Sequence, residues 1–140
     1  MTEPDFAHEP VMVDEIVTVF TPVPPGTVLD ATLGGGGHAE ALLDQCPHLS
    51  VLGLDRDERA LSAARRRLQR FGPRATTVLS RFDRLAAVLA DSQIASLAGA
   101  LFDLGVSSPQ LDDPERGFSY RLEGPLDMRM DPRRGKTAAD

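Results

Sequence analysis

The stretch Val28-Leu-Asp-Ala-Thr-Leu-Gly-Gly-Gly-Gly-His38 predicts the fold, because an apolar strand runs through a glycine-rich turn into a helix. Gly34, Gly36 and Ala39 fit the pattern G-x-G-x-x-[GA], and Asp55 follows 21 residues after Gly34. Glycines let the backbone approach a ligand closely, and the start of a helix offers unpaired N–H groups. Asp55 ends the next predicted strand and can accept hydrogen bonds from both hydroxyls of a ribose. The stretch therefore predicts a site for a nucleoside-containing cofactor.

The chain around this stretch alternates between strands and helices. Short apolar runs predict strands, and apolar residues at helical spacing predict helices. The predicted strands are 27–31, 50–54, 75–79 and 97–102, and the predicted helices are 13–20, 38–45, 57–71 and 82–89. Strands that are joined through helices need right-handed parallel crossovers. The sequence thus predicts an α/β fold with a doubly wound parallel sheet, in which the fourth strand lies beside the first.

Length and composition are typical of a soluble globular protein. The 140 residues suit one domain, and 41% apolar with 26% charged residues argue against a disordered or fibrous chain. No apolar run approaches the roughly 18 residues of a membrane span, and the acidic start lacks the layout of a secretory signal. The single cysteine, Cys46, cannot form an internal disulfide. We therefore expect a cytoplasmic protein.

The net charge of −6 hides an uneven distribution. Residues 1–55 hold nine acids and no Lys or Arg, whereas residues 56–140 hold twelve acids and all fifteen basic residues, fourteen of which are Arg. Arginine suits forked contacts to phosphate. The overall negative charge therefore does not exclude a nucleic-acid partner.

Asp30, at the end of the first predicted strand, indicates which cofactor binds. A carboxylate there would repel the pyrophosphate of a dinucleotide but attract the sulfonium and ammonium groups of S-adenosylmethionine. The absence of any Lys or Arg before Arg56 points the same way. The alternative is that Asp30 only caps a turn, which would leave a nicotinamide-dependent oxidoreductase domain open.

Six blocks of the sequence resemble the family of ribosomal RNA small subunit methyltransferase H, bacterial enzymes that methylate N4 of a cytidine in 16S rRNA. The blocks are His8–Glu15, Asp30–His38, Gly53–Asp57, Asp103–Asp113, Arg116–Ser119 and Gly124–Asp131. The resemblance covers nearly the whole chain. It implies a Rossmann-like fold, S-adenosylmethionine as the cofactor, and 16S rRNA in the small ribosomal subunit as the partner.

The resemblance also implies a set of site residues. The family's cofactor contacts fall on Gly36, Gly37, His38, Asp55, Phe82, Asp103 and Gln110. Phe82 opens the helix after the third strand, where it either supports an adenine or serves as an ordinary core residue. Asp103 follows the strand beside the first, where such sheets bind ligands. No metal ligand is expected.

Asp103 is also the predicted catalytic residue. The exocyclic amine of cytosine is a poor nucleophile, so an enzyme must orient it and accept hydrogen bonds from its N–H groups. Amino methyltransferases of DNA often place a Pro-Pro-aromatic motif here, which Asp103–Val106 lacks. We expect Asp103, or Ser107 or Ser108, to take that role, unless the two serines only form a turn.

The domain prediction follows from the greater length of the family's proteins, which carry an inserted helical substrate domain. We expect residues 1–104 to form the cofactor-binding half and residues 105–140 an active-site loop region leading toward that domain. The sheet would then be incomplete on its C-terminal side, with a long exposed edge. The chain is accordingly interpreted as a fragment, a truncated gene product or a chain completed in a homodimer. A non-catalytic remnant that binds S-adenosylmethionine stays as an alternative.

The arginines of the predicted loop region allow two interpretations. Arg129, Arg133 and Arg134 could contact phosphate groups of RNA. They also lie next to the acids Asp127 and Asp131, so a loop that pairs its own charges is the alternative.

Overall fold

The computed structural model describes residues 10–140. The acids Glu3, Asp5 and Glu9, and His8 at the start of the first family-like block, lie outside the described residues. The described chain divides into two units, one ending at Asp103 and one spanning Leu104–Asp140. Each unit is described by itself.

The described residues of the first unit form a parallel four-stranded sheet in the order β3-β2-β1-β4. The strands are β1 (Gly26–Asp30), β2 (Leu49–Asp55), β3 (Ala75–Leu79) and β4 (Gly99–Leu101). The winding reverses between β1 and β4, and open α/β sheets bind ligands beyond the carboxyl ends of the strands at such a point. The predicted α/β class and the predicted place of the fourth strand beside the first are confirmed.

The helices of the first unit follow the predicted alternation. They are α1 (Val13–Phe20), α2 (Gly37–Gln45), α3 (Glu58–Leu68) and α4 (Leu85–Asp91), with 3-10 helices at Gln69–Arg74 and Phe82–Arg84. The predicted helix 57–71 is α-helical only as far as Leu68, and the chain continues as the 3-10 helix, in which Gly72 has φ 55° and ψ −129°. The longest of these helices has 11 residues. Within residues 10–140, none is long and apolar enough to cross a membrane.

Neighbouring residues of the central strands face opposite sides of the sheet. Val28 and Val51 belong to one buried cluster, which includes apolar residues of α1, α2 and α3. Leu29 and Leu52 belong to a second cluster, which includes Val88 of α4. Strands buried on both faces are near-continuous apolar runs, which is why 28–29 and 51–52 are apolar without alternation.

The fourth strand is shorter than predicted. The sequence predicts 97–102, but only Gly99–Leu101 pairs, and it pairs with β1. The expected long exposed edge is therefore wrong, since β4 presents three residues. A Cβ at Gly99 would lie 2.7 Å from Cε1 of Phe20, so close packing of α1 against β4 requires glycine there.

The second unit is mostly irregular, but it contains two short helices where a loop region is predicted. These are α5 (Ser108–Asp112) and a 3-10 helix at Pro114–Arg116. Arg116 is buried, and its Nη2 donates to the backbone carbonyls of Arg129 and Met130. The segment therefore folds around a buried guanidinium group.

Candidate functional site

The loop between β1 and α2 is held to the strands on both sides of β1. The N–H of Ala31 donates to the carbonyl of Leu101 at 2.9 Å, and the N–H of Leu33 donates to the carbonyl of Leu54 at 2.9 Å. The side chain of Leu33 lies over Gly53, where a Cβ would come within 2.6 Å of its methyl carbons. The start of the glycine loop is therefore fixed before any ligand binds.

Asp55 is oriented by two backbone N–H groups. Its Oδ2 accepts a hydrogen bond from Gly34 at 2.8 Å, and its Oδ1 accepts one from Asp57 at 2.9 Å. Burial raises the pKa of Asp55, while the hydrogen bonds from Asp57 and Gly34 lower it. Each carboxylate oxygen keeps a further lone pair, so the group can still accept two ribose hydroxyls.

Gly36 and Gly37 allow the start of α2 to pack closely against its neighbours. Gly36 has φ 81°, and a Cβ there would lie 3.2 Å from Cβ of Ala64 in α3. A Cβ at Gly37 would lie 2.8 Å from Cγ of Pro10. Packing alone thus requires both glycines, and their contact with a cofactor stays a prediction.

His38 is buried in the first turn of α2, where sequence alone favours an exposed residue. Its Nε2 lies 2.7 Å from the backbone carbonyl oxygen of Val11. The ring therefore ties the segment before α1 to the glycine loop. Its predicted contact with a cofactor stays a prediction.

Asp30 is 1% exposed and lies at the switch point as the last residue of β1. Its Oδ1 accepts a hydrogen bond of 3.2 Å from the N–H of Thr32, as a turn cap would. Its Oδ2 is buried and has no hydrogen-bond partner among residues 10–140. Burial raises the pKa of Asp30 to about 6. Turn capping therefore accounts for one carboxyl oxygen only.

Asp103 is held beside the turn that follows β1. Its backbone N–H donates to Oγ1 of Thr32 at 2.7 Å, and its side chain is exposed. This bond joins the segment after β4 to the segment after β1 across 71 positions of the chain. The sequence prediction did not include Thr32, although threonine hydroxyls commonly bond to backbone groups in turns.

Two phenylalanine rings meet beyond the carboxyl edge of the sheet. Phe82 follows β3 and Phe102 follows β4, and their ring centroids lie 5.8 Å apart at an interplanar angle of 81°. Because β3 and β4 are opposite edges of the sheet, the segments after them meet in front of the central strands. Phe82 is 48% exposed, so it is not a core residue. Sequence analysis missed Phe102.

Gln110 lies in the second unit, where its side chain makes local contacts. Its Oε1 accepts a hydrogen bond of 3.0 Å from the N–H of Ser107, and its Nε2 donates to Sδ of Met130 at 3.6 Å. Ser107 precedes α5 and Ser108 begins it, as in a helix cap. The cofactor contact of Gln110 stays a prediction.

The arginines of the second unit pair with nearby acids. Nε and Nη2 of Arg129 donate to the two carboxylate oxygens of Asp127 at 2.9 and 2.6 Å. Nε of Arg133 donates to Asp131 at 3.0 Å. Arg129 and Arg133 therefore form ion pairs with acids of their own loop, as the second of the two interpretations expects. Within residues 10–140, no group of three or more His, Cys, Asp or Glu side chains could hold a metal ion.

Comparison with known proteins identifies the family. A family model for the MraW methylase family matches residues 5–140. Ribosomal RNA small subunit methyltransferase H of Mycobacterium avium (strain 104) is 53% identical over 98% of this chain and 38% of its own length. The protein of that name from Beutenbergia cavernae is 53% identical over 95% of this chain and 41% of its own length. The chain therefore spans well under half of these curated relatives.

A solved structure shows the same fold. The crystal structure of a candidate rRNA methylase from Clostridium thermocellum superposes with a TM-score of 0.55 at 20% identity, over 67% of this chain and 51% of that one. At this identity the likeness concerns the fold alone. On the sequence match over residues 5–140, the chain belongs to the MraW methylase family.

Proposed function

We propose that this chain is the cofactor-binding part of an S-adenosylmethionine-dependent methyltransferase that modifies N4 of a cytidine in 16S rRNA of the small ribosomal subunit. The proposal depends above all on the hydrogen bond from Gly34 to Asp55, which joins the glycine loop to a ribose-binding carboxylate. The relatives named ribosomal RNA small subunit methyltransferase H support the substrate, at 53% identity over 98% of the chain.

The residues of the first unit suit the parts of this cofactor. Asp55 accepts the ribose hydroxyls with the lone pairs that its backbone contacts leave open. Phe82 and Phe102 offer half-exposed aromatic surface to an adenine. The glycine loop brings the backbone close to the ligand, with α2 beginning at Gly37.

The surroundings of Asp30 favour a cationic cofactor over a nicotinamide dinucleotide. Asp30, whose Oδ2 has no hydrogen-bond partner within residues 10–140, places an acid at the switch point, where a pyrophosphate would be repelled. Asp55 and Asp103 add further negative charge, since both raise the pKa of Asp30 beyond the effect of burial. A sulfonium and an ammonium group would gain from all three carboxyl groups.

Asp103 carries the proposed chemical role. When bound, S-adenosylmethionine supplies an electrophilic methyl group on a positively charged sulfur. The exposed carboxylate of Asp103 is positioned through its backbone bond to Thr32. It accepts a hydrogen bond from the N4 amine, which directs the nitrogen lone pair, and it takes up the proton that the amine loses.

Isothermal titration calorimetry tests the cofactor. We expect S-adenosylmethionine and S-adenosylhomocysteine to bind with one site per chain, and NAD and NADH not to bind. Binding of NAD in preference to S-adenosylmethionine would contradict the proposal.

A methyl-transfer assay tests the reaction. Small ribosomal subunits that lack the modification are incubated with labelled S-adenosylmethionine and either this chain or a full-length protein that contains it. We expect label on N4 of a cytidine with the full-length protein, and loss of transfer in its Asp103→Asn variant even at saturating S-adenosylmethionine. Full transfer by Asp103→Asn would refute the catalytic role, and binding without transfer by the full-length protein would favour a non-catalytic binder.

The cytoplasmic location and the homodimer are two further parts of the proposal. Small ribosomal subunits lie in the cytoplasm, so the enzyme would act there. A homodimer that covers β4 stays a prediction, and sedimentation equilibrium at several protein concentrations would test it.

A further inference from the structure

The buried carboxyl group of Asp30 is short of one hydrogen-bond donor. Its Oδ1 accepts from Thr32, but its Oδ2 has no partner among the described residues 10–140. Charge on a buried carboxylate is costly unless donors or opposite charges compensate it. A positive charge brought into the site would therefore stabilise the ionised form of Asp30.

Titratable groups from three elements surround Asp30. The pKa of Asp30 is raised to about 6, mainly by burial and in smaller part by Asp55 at the end of β2 and Asp103 after β4. The N–H of Thr32 and the ring of His38 in α2 lower it. The result is a carboxyl group that exchanges its proton close to neutral pH, at the point of the sheet where ligands bind.

We propose that Asp30 is a proton-exchanging counter-charge that makes this site bind a sulfonium cofactor more tightly than the neutral thioether left after methyl transfer. This inference rests on the proposed function. S-adenosylmethionine and S-adenosylhomocysteine share the adenosine and amino-acid groups, and they differ by one methyl group and one positive charge. A site that only recognised the shared groups would bind both equally.

Asp30 acts through space, because its Oδ2 is buried behind the protein surface. A unit positive charge about 6–8 Å away, at an effective dielectric constant of about 20, shifts the pKa of a carboxyl group down by about 1–2 units. On binding of the sulfonium cofactor, protonated Asp30 releases its proton to solvent. Near and below about pH 6, Asp30 takes a proton back from solvent when the sulfonium charge disappears, and the product keeps only the contacts that both ligands share.

The test compares the two ligands on the wild-type protein across pH. Between about pH 7.5 and about pH 5, we expect the affinity for S-adenosylmethionine to fall about tenfold relative to that for S-adenosylhomocysteine, because only the former lowers the pKa of Asp30. Sinefungin, which carries a protonated amine in place of the sulfonium, should follow S-adenosylmethionine. Equal pH dependence for all three ligands would overturn the inference.

A spectroscopic readout addresses Asp30 itself. The carbon-13 shift of its carboxyl carbon, assigned by comparison with Asp30→Asn, reports its protonation in the free protein and in each complex. We expect the titration midpoint to fall with S-adenosylmethionine and to stay near its free value with S-adenosylhomocysteine. A midpoint that moves equally with both ligands would contradict the inference.

Matched variants separate Asp30 from the other carboxyl groups. In Asp30→Asn, the preference for the cationic ligand should shrink and lose its pH dependence. Asp55→Asn should weaken both ligands, because the ribose is common to them, and Asp91→Asn, at an exposed acid of α4, should keep the pH-dependent preference. The wild-type titration decides the question even if Asp30→Asn fails to fold. If neither ligand binds wild type, the proposed function and this inference both fail, whereas binding without charge preference overturns this inference alone.

Discussion

The backbone N–H of Gly34 donates a 2.8 Å hydrogen bond to Oδ2 of Asp55, which joins two segments that are 21 residues apart. The same carboxylate accepts the N–H of Asp57 through its other oxygen. An acid that is oriented in this way is ready for a diol without rearrangement. The bond also means that substitution at 55 disturbs the glycine loop as well as any ribose.

Asp55→Asn should weaken the binding of S-adenosylmethionine by about 10- to 100-fold, because hydrogen bonds to a charged acceptor contribute about 1.5–3 kcal/mol. Calorimetric titration measures the change. Asp91→Asn removes an exposed acid from α4 and should bind like wild type. Equal affinity of Asp55→Asn and wild type would exclude Asp55 as the ribose acceptor.

Phe82→Ala and Phe102→Ala should each weaken the cofactor by about 3- to 10-fold, since aromatic contacts contribute about 0.5–1.5 kcal/mol. Both rings are nearly half exposed, so we expect the free energy of unfolding to change by less than about 2 kcal/mol. Urea denaturation and calorimetry give the two quantities. A larger loss of stability without a change in affinity would indicate that Phe82 contributes to packing and does not contact the cofactor.

Without ligand, the protein should become less stable as the pH rises from about 4 to about 7. The pKa of Asp30 is about 6 in the folded protein, against an ordinary value of 3.8. The folded state thus binds more protons than the unfolded state between these values, and the stabilisation is lost as the pH rises through the folded pKa.

The size of this loss from Asp30 is on the order of 2–3 kcal/mol. The raised pKa of Asp55 acts in the same direction. Urea denaturation at a series of pH values measures the slope, and Asp30→Asn should flatten it. An unchanged slope in that variant would assign the effect to other groups.

Gly53→Ala should lower the free energy of unfolding by about 1–3 kcal/mol, because the new Cβ would overlap the methyl groups of Leu33. Leu33 directly precedes Gly34, so the displaced loop should also bind the cofactor less tightly. The double variant Gly53→Ala/Leu33→Ala should lose less stability than the sum of the single changes. Additive losses would show that residues 33 and 53 do not compete for the same space.

Arg74→Lys should lower the free energy of unfolding by about 2–4 kcal/mol while cofactor affinity stays the same. Its guanidinium donates to the backbone carbonyls of Leu43, Cys46 and Leu49, each at 2.9 Å, and an ammonium group cannot reproduce this fork. Arg84→Lys, at an exposed position, is the matched control. A loss of the same size in both variants would contradict a specific role for Arg74.

The order of elements in the first unit follows from its sequence, because Val28–Leu29 and Val51–Leu52 are continuous apolar runs and the helix between them has one apolar face. The extent of β4 cannot be predicted from the sequence, since pairing with β1 decides which of residues 97–102 form a strand. In the second unit, Ser107 followed three residues later by Gln110 is a helix-start pattern that indicates α5, but a five-residue helix shows no apolar periodicity.

Some features of the candidate site can likewise be predicted from the sequence, and others cannot. The glycine spacing and the position of Asp55 are visible in the sequence. The burial of Asp30, whose Oδ2 lacks a partner within the described part of the chain, and the contact between Phe82 and Phe102 depend on where distant segments meet. The two rings follow opposite edge strands of the sheet, so no local pattern encodes their contact.

The ion pairs of Arg129 with Asp127 and of Arg133 with Asp131 have a consequence for how RNA affinity would respond to ionic strength. An arginine contributes to that response when it displaces counterions from a phosphate. A guanidinium that keeps its own carboxylate partner releases fewer of them. Counting the arginines of the second unit would therefore overstate the salt dependence of the proposed RNA binding.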